Sequence, residues 1–138
     1  MARRLTTIVV LAVAVFGLTA CGSSSSPKAA PAFDARKITV GEIDVSITPI
    51  RLDATGAEFN IVFDTHAGSL DTDVAGNATL TVNTTRWTAP IWSGDGPGGH
   101  HRSGTLRFTA AGPATGTAEL TISGLSAPAN TSWQLPAP

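Results

Sequence analysis

Tyrosine is absent from this 138-residue chain, and cysteine and methionine occur once each. A single cysteine excludes an intramolecular disulfide and any dithiol redox chemistry. The one methionine is Met1, which excludes a methionine-rich Cu(I) carrier. Only 14% of residues are charged, and no basic cluster occurs. That balance argues against nucleic acid as a partner. Hydrolytic and phosphate-binding signatures are missing as well. The chain has no Gly-x-Ser-x-Gly elbow and no Gly-x-x-x-x-Gly-Lys-Ser/Thr loop, and Ser103 beside His101 is not by its sequence a triad. No catalytic group is expected, and the chain is read as not an enzyme. After residue 30 no stretch repeats apolar residues at i, i+3, i+4 and i+7, so no substantial helix is expected.

What is present begins with an address. MARR is followed by the apolar run LTTIVVLAVAVFG and then by LTAC. A basic start, a short apolar run and a small-residue exit describe a signal peptide over residues 1–20. The apolar run is shorter than the roughly 20 residues of a membrane span. Leu18-Thr19-Ala20-Cys21 resembles a bacterial lipobox, which makes Cys21 the site of lipidation, with acyl groups such as palmitate. Residues 21–35 hold the lipidated cysteine and GSSSSPKAAPA, a Ser/Pro/Ala tether too poor in bulk to bury a core. The expected location is the extracytoplasmic face of the cell membrane, and the partner this implies is the membrane itself, through a lipid anchor. Removal of residues 1–20 takes away Arg3 and Arg4 and leaves seven basic against ten acidic side chains. Arginine outnumbers lysine, with much Ala, Gly, Thr and Pro, and together with the lipobox this bias looks actinobacterial.

Residues 36–138 are expected to form one domain, since about 100 residues suffice for one core. Ile43, Val45 and Ile47 alternate with polar residues, as do Phe59, Ile61 and Phe63. Leu80 with Val82, Leu106 with Phe108, Leu120 with Ile122, and Trp133 with Leu135 continue the pattern. Period two predicts strands near 37–50, 57–66, 74–83, 86–92, 102–110, 117–124 and 131–135. The phase slips by one residue at Gly41, which predicts a bulge or a break there. Seven short antiparallel strands suggest an all-β, immunoglobulin-like sandwich, with a small β-barrel as the other option.

Two segments carry candidate chemistry. In "FDTHAGSLDTD", Asp64 and His66 fall on the face opposite Phe59, Ile61 and Phe63. Asp71 and Asp73 follow in a turn, at a spacing that does not fit an EF-hand. In "WSGDGPGGHHRSGTLRF", four glycines and a proline precede His100 and His101, whose side chains diverge in an extended chain. His66, His100 and His101 with Asp64, Asp71 and Asp73 form a candidate Zn or Cu ligand set. The competing reading is a polar network in which an imidazole meets Asp64 or Asp95, and Arg102 pairs with Asp64, Asp71 or Asp73. Extending the inward register of Leu106 and Phe108 backwards would bury Arg102, so a bulge near Ser103-Gly104 is expected, or a strand that begins only there.

These two segments, with the terminal "LTISGLSAPANTSWQL", resemble an uncharacterised family of small secreted and lipid-anchored prokaryotic β domains. The shared pattern is D-T-H-x-x-x-L-D, followed by W-x-G-x-x-x-G-G-H-H-R-x-G-x-L-x-F. The resemblance spans roughly residues 57–135 and departs from the pattern at Ala67-Gly68. It places Thr65, His66, Leu70, Asp71, Asp73, Gly98, Gly99, His100, His101, Arg102 and Gly104 in the family pattern and implies no particular activity. Overall, the chain is read as a lipid-anchored, monomeric, non-catalytic binding or structural module for a protein or small ligand. The alternative is a divalent-metal-binding lipoprotein.

Overall fold

The alternating runs fold into eight antiparallel strands in a computed structural model that describes residues 33–137. They are β1 (Arg36–Val40), β2 (Ile43–Asp53), β3 (Gly56–Thr65), β4 (Ala78–Val82), β5 (Thr85–Gly94), β6 (His101–Thr109), β7 (Gly116–Ile122) and β8 (Ala129–Leu135). No helix occurs among the described residues. The signal peptide, Cys21 and most of the tether lie outside them. Phe33 already packs against the core, and the Asp34 carbonyl accepts the Trp133 indole N–H at 2.9 Å.

The strand count is eight where the alternation predicts seven. The predicted strand 37–50 is two strands, because Gly41 adopts φ +63° and turns β1 back on β2. A side chain at Gly41 would also run into Ser126 Oγ at 2.5 Å. The phase slip at Gly41 is therefore a break, and only glycine takes that turn without strain.

The strand order is β1-β2-β3-β6-β5-β4-β7-β8, one continuous antiparallel series. Strand β5 joins its two halves: Thr85–Trp87 pair with β4, whereas Thr88–Gly94 pair with β6. The register shifts between Thr88 and Ile91, where Ala89 has φ +51°. Such an irregularity bends a strand and sharpens its twist. The sheet curls until it is nearly closed, and two side-chain bonds join the segments around β1 to those around β8. Ser126 Oγ donates to the Val40 carbonyl at 2.9 Å, alongside the Trp133–Asp34 bond.

Inward-facing residues of all eight strands or their ends meet in one core. Phe59, Ile47, Ile61, Leu80, Leu106, Leu120 and Trp87 are fully or almost fully buried. Phe59 packs on Trp133 with ring centroids 5.3 Å apart, and edge-on against Phe108 at 6.4 Å. The hairpin registers place the β2–β3 turn, the β6–β7 loop and the start of β1 at one end of the barrel. The segments after β3 and before β6, which carry the sequence patterns above, lie at the opposite end.

Candidate functional site

The two patterned segments meet at that opposite end and are joined first through their backbones. Strand β3 pairs with β6 without interruption from Ala57–Phe108 to Asp64–His101. Beyond the ladder, the Thr65 N–H donates to the His100 carbonyl at 2.8 Å. The Leu70 N–H donates to the Gly99 carbonyl at 3.2 Å, and the Gly98 N–H to the Leu70 carbonyl at 3.0 Å. Gly98 and Gly99 adopt φ +110° and +74°, which turns the chain so that both carbonyl and N–H reach Leu70.

Arg102 holds this junction together. Its residue is 4% exposed, yet it pairs with no carboxylate among the described residues. Nη1 donates to the carbonyls of Thr72 at 2.5 Å and Leu70 at 3.2 Å, and Nε donates to the Asp95 carbonyl at 3.0 Å. The guanidinium also lies 5.3 Å from the Trp92 ring centroid, a cation–π distance. The expected ion pair of Arg102 with Asp64, Asp71 or Asp73 is thus replaced by three backbone carbonyls and an indole face. The expected bulge or late start at Ser103-Gly104 is also absent from the β3–β6 ladder: the strand is regular, and Arg102 faces inward beside Phe63. Convergent carbonyls supply the compensation that burial of a cation requires.

Trp92 reaches Arg102 by crossing over a glycine. Gly94 and Gly104 face each other in the β5–β6 ladder. A Cβ on Gly104 would meet the Trp92 ring at 2.5 Å, and one on Gly94 would collide with the backbone of Ser103 and Gly104. The Trp92 indole N–H is fixed by the Asp95 carbonyl at 3.0 Å, and its ring leans on Phe63 with centroids 6.3 Å apart. Both glycines exist because another group occupies the space of a side chain.

Asp95 closes the loop from outside. Its carboxylate accepts the Ser103 N–H at 2.8 Å and the Ser103 hydroxyl at 3.1 Å, and its own N–H donates to the Ser103 carbonyl at 2.9 Å. The Ser103 backbone N–H above all, and then its hydroxyl, hold the Asp95 carboxyl below the usual aspartate range, with smaller help from His101 and Arg102. The charged carboxylate therefore favours the folded chain. That contribution is complete above the unfolded value of about 3.9 and disappears as pH falls through the lower folded value. Melting curves from pH 6 to pH 2 should show the wild type losing stability below about pH 4 more steeply than Asp95→Asn. Parallel curves would mean that the carboxylate is not coupled to folding.

Among the remaining predicted residues, His101 Nδ1 lies 2.5 Å from Asp64 Oδ1, with both side chains more than half exposed. His66 and His100 are exposed and bond no described side chain. Asp73 caps a turn: its carboxylate accepts the Gly76 N–H at 3.1 Å, and its carbonyl accepts the Asn77 N–H at 3.1 Å. The Asp71 carboxylate lies beside Gly98. Among the described residues no group of three or more His, Cys, Asp or Glu side chains is placed to hold a metal ion. Of the six residues of the candidate ligand set, His101 and Asp64 meet, and no three converge. Because the His101–Asp64 contact is exposed, His101→Ala should lower stability by less than about 1 kcal/mol in urea unfolding. A larger loss would show that the imidazole anchors more than Asp64.

No protein family model, curated protein or solved structure matches the chain. The roles of its residues rest on geometry alone. That geometry adds three groups to those picked out as site residues by their chemistry. Trp92 and the Gly94–Gly104 pair form the lid over Arg102. Thr65, 5% exposed, shares its hydroxyl between the Glu42 carbonyl at 2.9 Å and the Ala67 carbonyl at 2.7 Å. Thr65 continues the inward series Phe59, Ile61, Phe63, so period two already carried the signal of its burial. Beneath the clasp only about 10 Å³ of space is left between Phe63, Leu70, Val74, Arg102 and Leu125, about the room of a single water at most.

Proposed function

We propose that the chain is an extracytoplasmic lipoprotein, tied to the membrane through Cys21, whose β domain is a non-catalytic binding or structural module. One observation carries the non-catalytic half of this reading. Arg102, the buried charged residue among the described residues, is committed to the Asp95, Leu70 and Thr72 carbonyls, and Asp95 to Ser103. The side chains that looked like chemistry thereby join two loops. On this reading His101, His100 and His66 decorate the rim of a closed end, and the β domain, of sandwich or barrel type, is a rigid support for its loops.

The anchoring half rests on the sequence Leu18-Thr19-Ala20-Cys21 behind a short basic and apolar start. Two acyl chains retain a protein at a bilayer where one does so only marginally, at roughly 0.8 kcal/mol per buried CH₂. Expression of the full chain in a bacterium fed an alkyne-tagged palmitate should give a labelled protein that partitions into detergent. Cys21→Ser should be unlabelled and remain in the aqueous phase. A native chain without label and without membrane association would overturn the reading.

A further inference from the structure

The Arg102 clasp occupies one end of the curled sheet, and the β2–β3 turn and the β6–β7 loop occupy the other. A groove of about 450 Å³ lies there, walled by Phe33, Ile50, Leu52, Pro113, Ala114 and Pro136. That volume is within the range of small-molecule sites, and the mouths of β-barrels are common places for them.

One wall residue is put there by a backbone irregularity. In β2, Val45, Ile47 and Pro49 face inward at odd positions, whereas Leu52 faces inward at an even one. The register breaks between Pro49 and Arg51, which leaves Ile50 unpaired across from β3 and 57% exposed. A bulge of this kind re-aims a side chain. Here it turns a large aliphatic group away from the core and into the groove.

The position of the groove says what can reach it. Phe33, the first described residue, forms part of its wall, as do Pro136 and Ala137 at the other end of the chain. Cys21 stands twelve residues before Phe33, a span of at most about 40 Å even when fully extended. A chain held by lipid at Cys21 is thus tethered from the rim of the groove itself. We propose that this groove receives the acyl chain of a bilayer phospholipid, an inference that rests on the lipid-anchored reading above. The wall supplies apolar contact along the chain. At the rim, Arg51 and Asp53 lie 3.6 Å apart and offset each other's charge, so no net charge there opposes a lipid head group.

The test uses the full lipidated chain in vesicles of phosphatidylethanolamine and phosphatidylglycerol. The photo-reactive residue p-benzoylphenylalanine replaces Ile50 in one sample and Ile91, 56% exposed and outside the groove wall, in another. Irradiation should add the mass of a phospholipid to the Ile50 sample and give at least a fivefold smaller yield at Ile91. Equal yields at both positions, or no phospholipid adduct at Ile50 in protein whose mass confirms acylation, would overturn the proposal. A crosslink from position 50 to residues 22–32, to the chain's own acyl groups or to another protein would overturn it in favour of that occupant. Protein recovered without acylation would instead defeat the anchoring reading, and the groove is then tested with the same variants by adding the vesicles to the soluble chain. In that arm a phospholipid adduct confined to position 50 supports the groove, and its absence overturns it.

Discussion

Replacing Arg102 with methionine should cost the domain about 3 kcal/mol or more, the largest loss expected from any exchange near the clasp. Methionine keeps much of the length and apolar contact of the arginine stem, so packing changes little. What disappears is the donor set for the Asp95, Leu70 and Thr72 carbonyls, two of which belong to one loop and one to the other. Hydrogen bonds from a charged donor contribute about 1.5–3 kcal/mol each, and a buried acceptor left without a partner adds its own desolvation cost. For a domain of this size 1 kcal/mol moves the melting temperature by roughly 4–8 °C, so a drop of more than about 12 °C is expected in calorimetry. Arg102→Lys should recover little of it, because an ammonium on a flexible stem cannot present the planar fork that reaches both loops. A methionine variant within about 1 kcal/mol of the native chain in urea would show that the loops are held by their backbone bonds alone. The same experiment separates the clasp from the rim pair, since His101→Ala is expected to be nearly silent.

Gly104→Ala is expected to be the second severe exchange, although it adds a single methyl group. Its Cβ would stand 2.5 Å from the Trp92 ring and 2.8 Å from the Gly94 Cα. Neither neighbour yields cheaply. The backbone of β5 is fixed by the ladder, and the indole is held by Arg102, Phe63 and the Asp95 carbonyl. Overpacking of a fitted site costs about 1–3 kcal/mol, and displacement of the indole removes the cation–π contact as well. A loss of about 2–3 kcal/mol in urea unfolding is expected, with a shift of Trp92 emission towards that of exposed tryptophan. Trp87 and Trp133 are buried elsewhere and should report no change, so a Trp92-only chain gives the cleaner signal. Full stability with unchanged emission would mean that the strands separate at Gly94–Gly104 without consequence.

Much of the fold was legible because alternation is a local property of an extended chain. Phe59, Ile61 and Phe63, or Leu120 and Ile122, announce the inward face of a strand wherever that strand ends up. The slip of phase at Gly41 was visible for the same reason. A second slip of phase, between Pro49 and Leu52, is equally local and places Ile50 on the surface. The eighth strand came from the first slip, a turn where a bulge was equally open to expectation.

The site was legible as a place and not as an arrangement. Its segments stood out by their glycines, histidines and aspartates. The partners of Arg102 could not be read. Its acceptors are main-chain carbonyls of Leu70, Thr72 and Asp95, and a carbonyl oxygen is present at every position of every sequence. Side-chain identity suggested a carboxylate for Arg102 because carboxylates are the acceptors that a sequence displays. Similarly, Gly94 and Gly104 are plain glycines until the crossing of Trp92 shows what fills their missing side chains. By itself the sequence determined the all-β class and the faces of the strands, both written in local order. Only the tertiary structure decided which loops meet, which carbonyls converge on a buried cation and where the apolar groove lies. Arg102 reaches Leu70 and Thr72 across 32 and 30 positions of sequence, an approach set by strand register and closure rather than by any neighbouring residue.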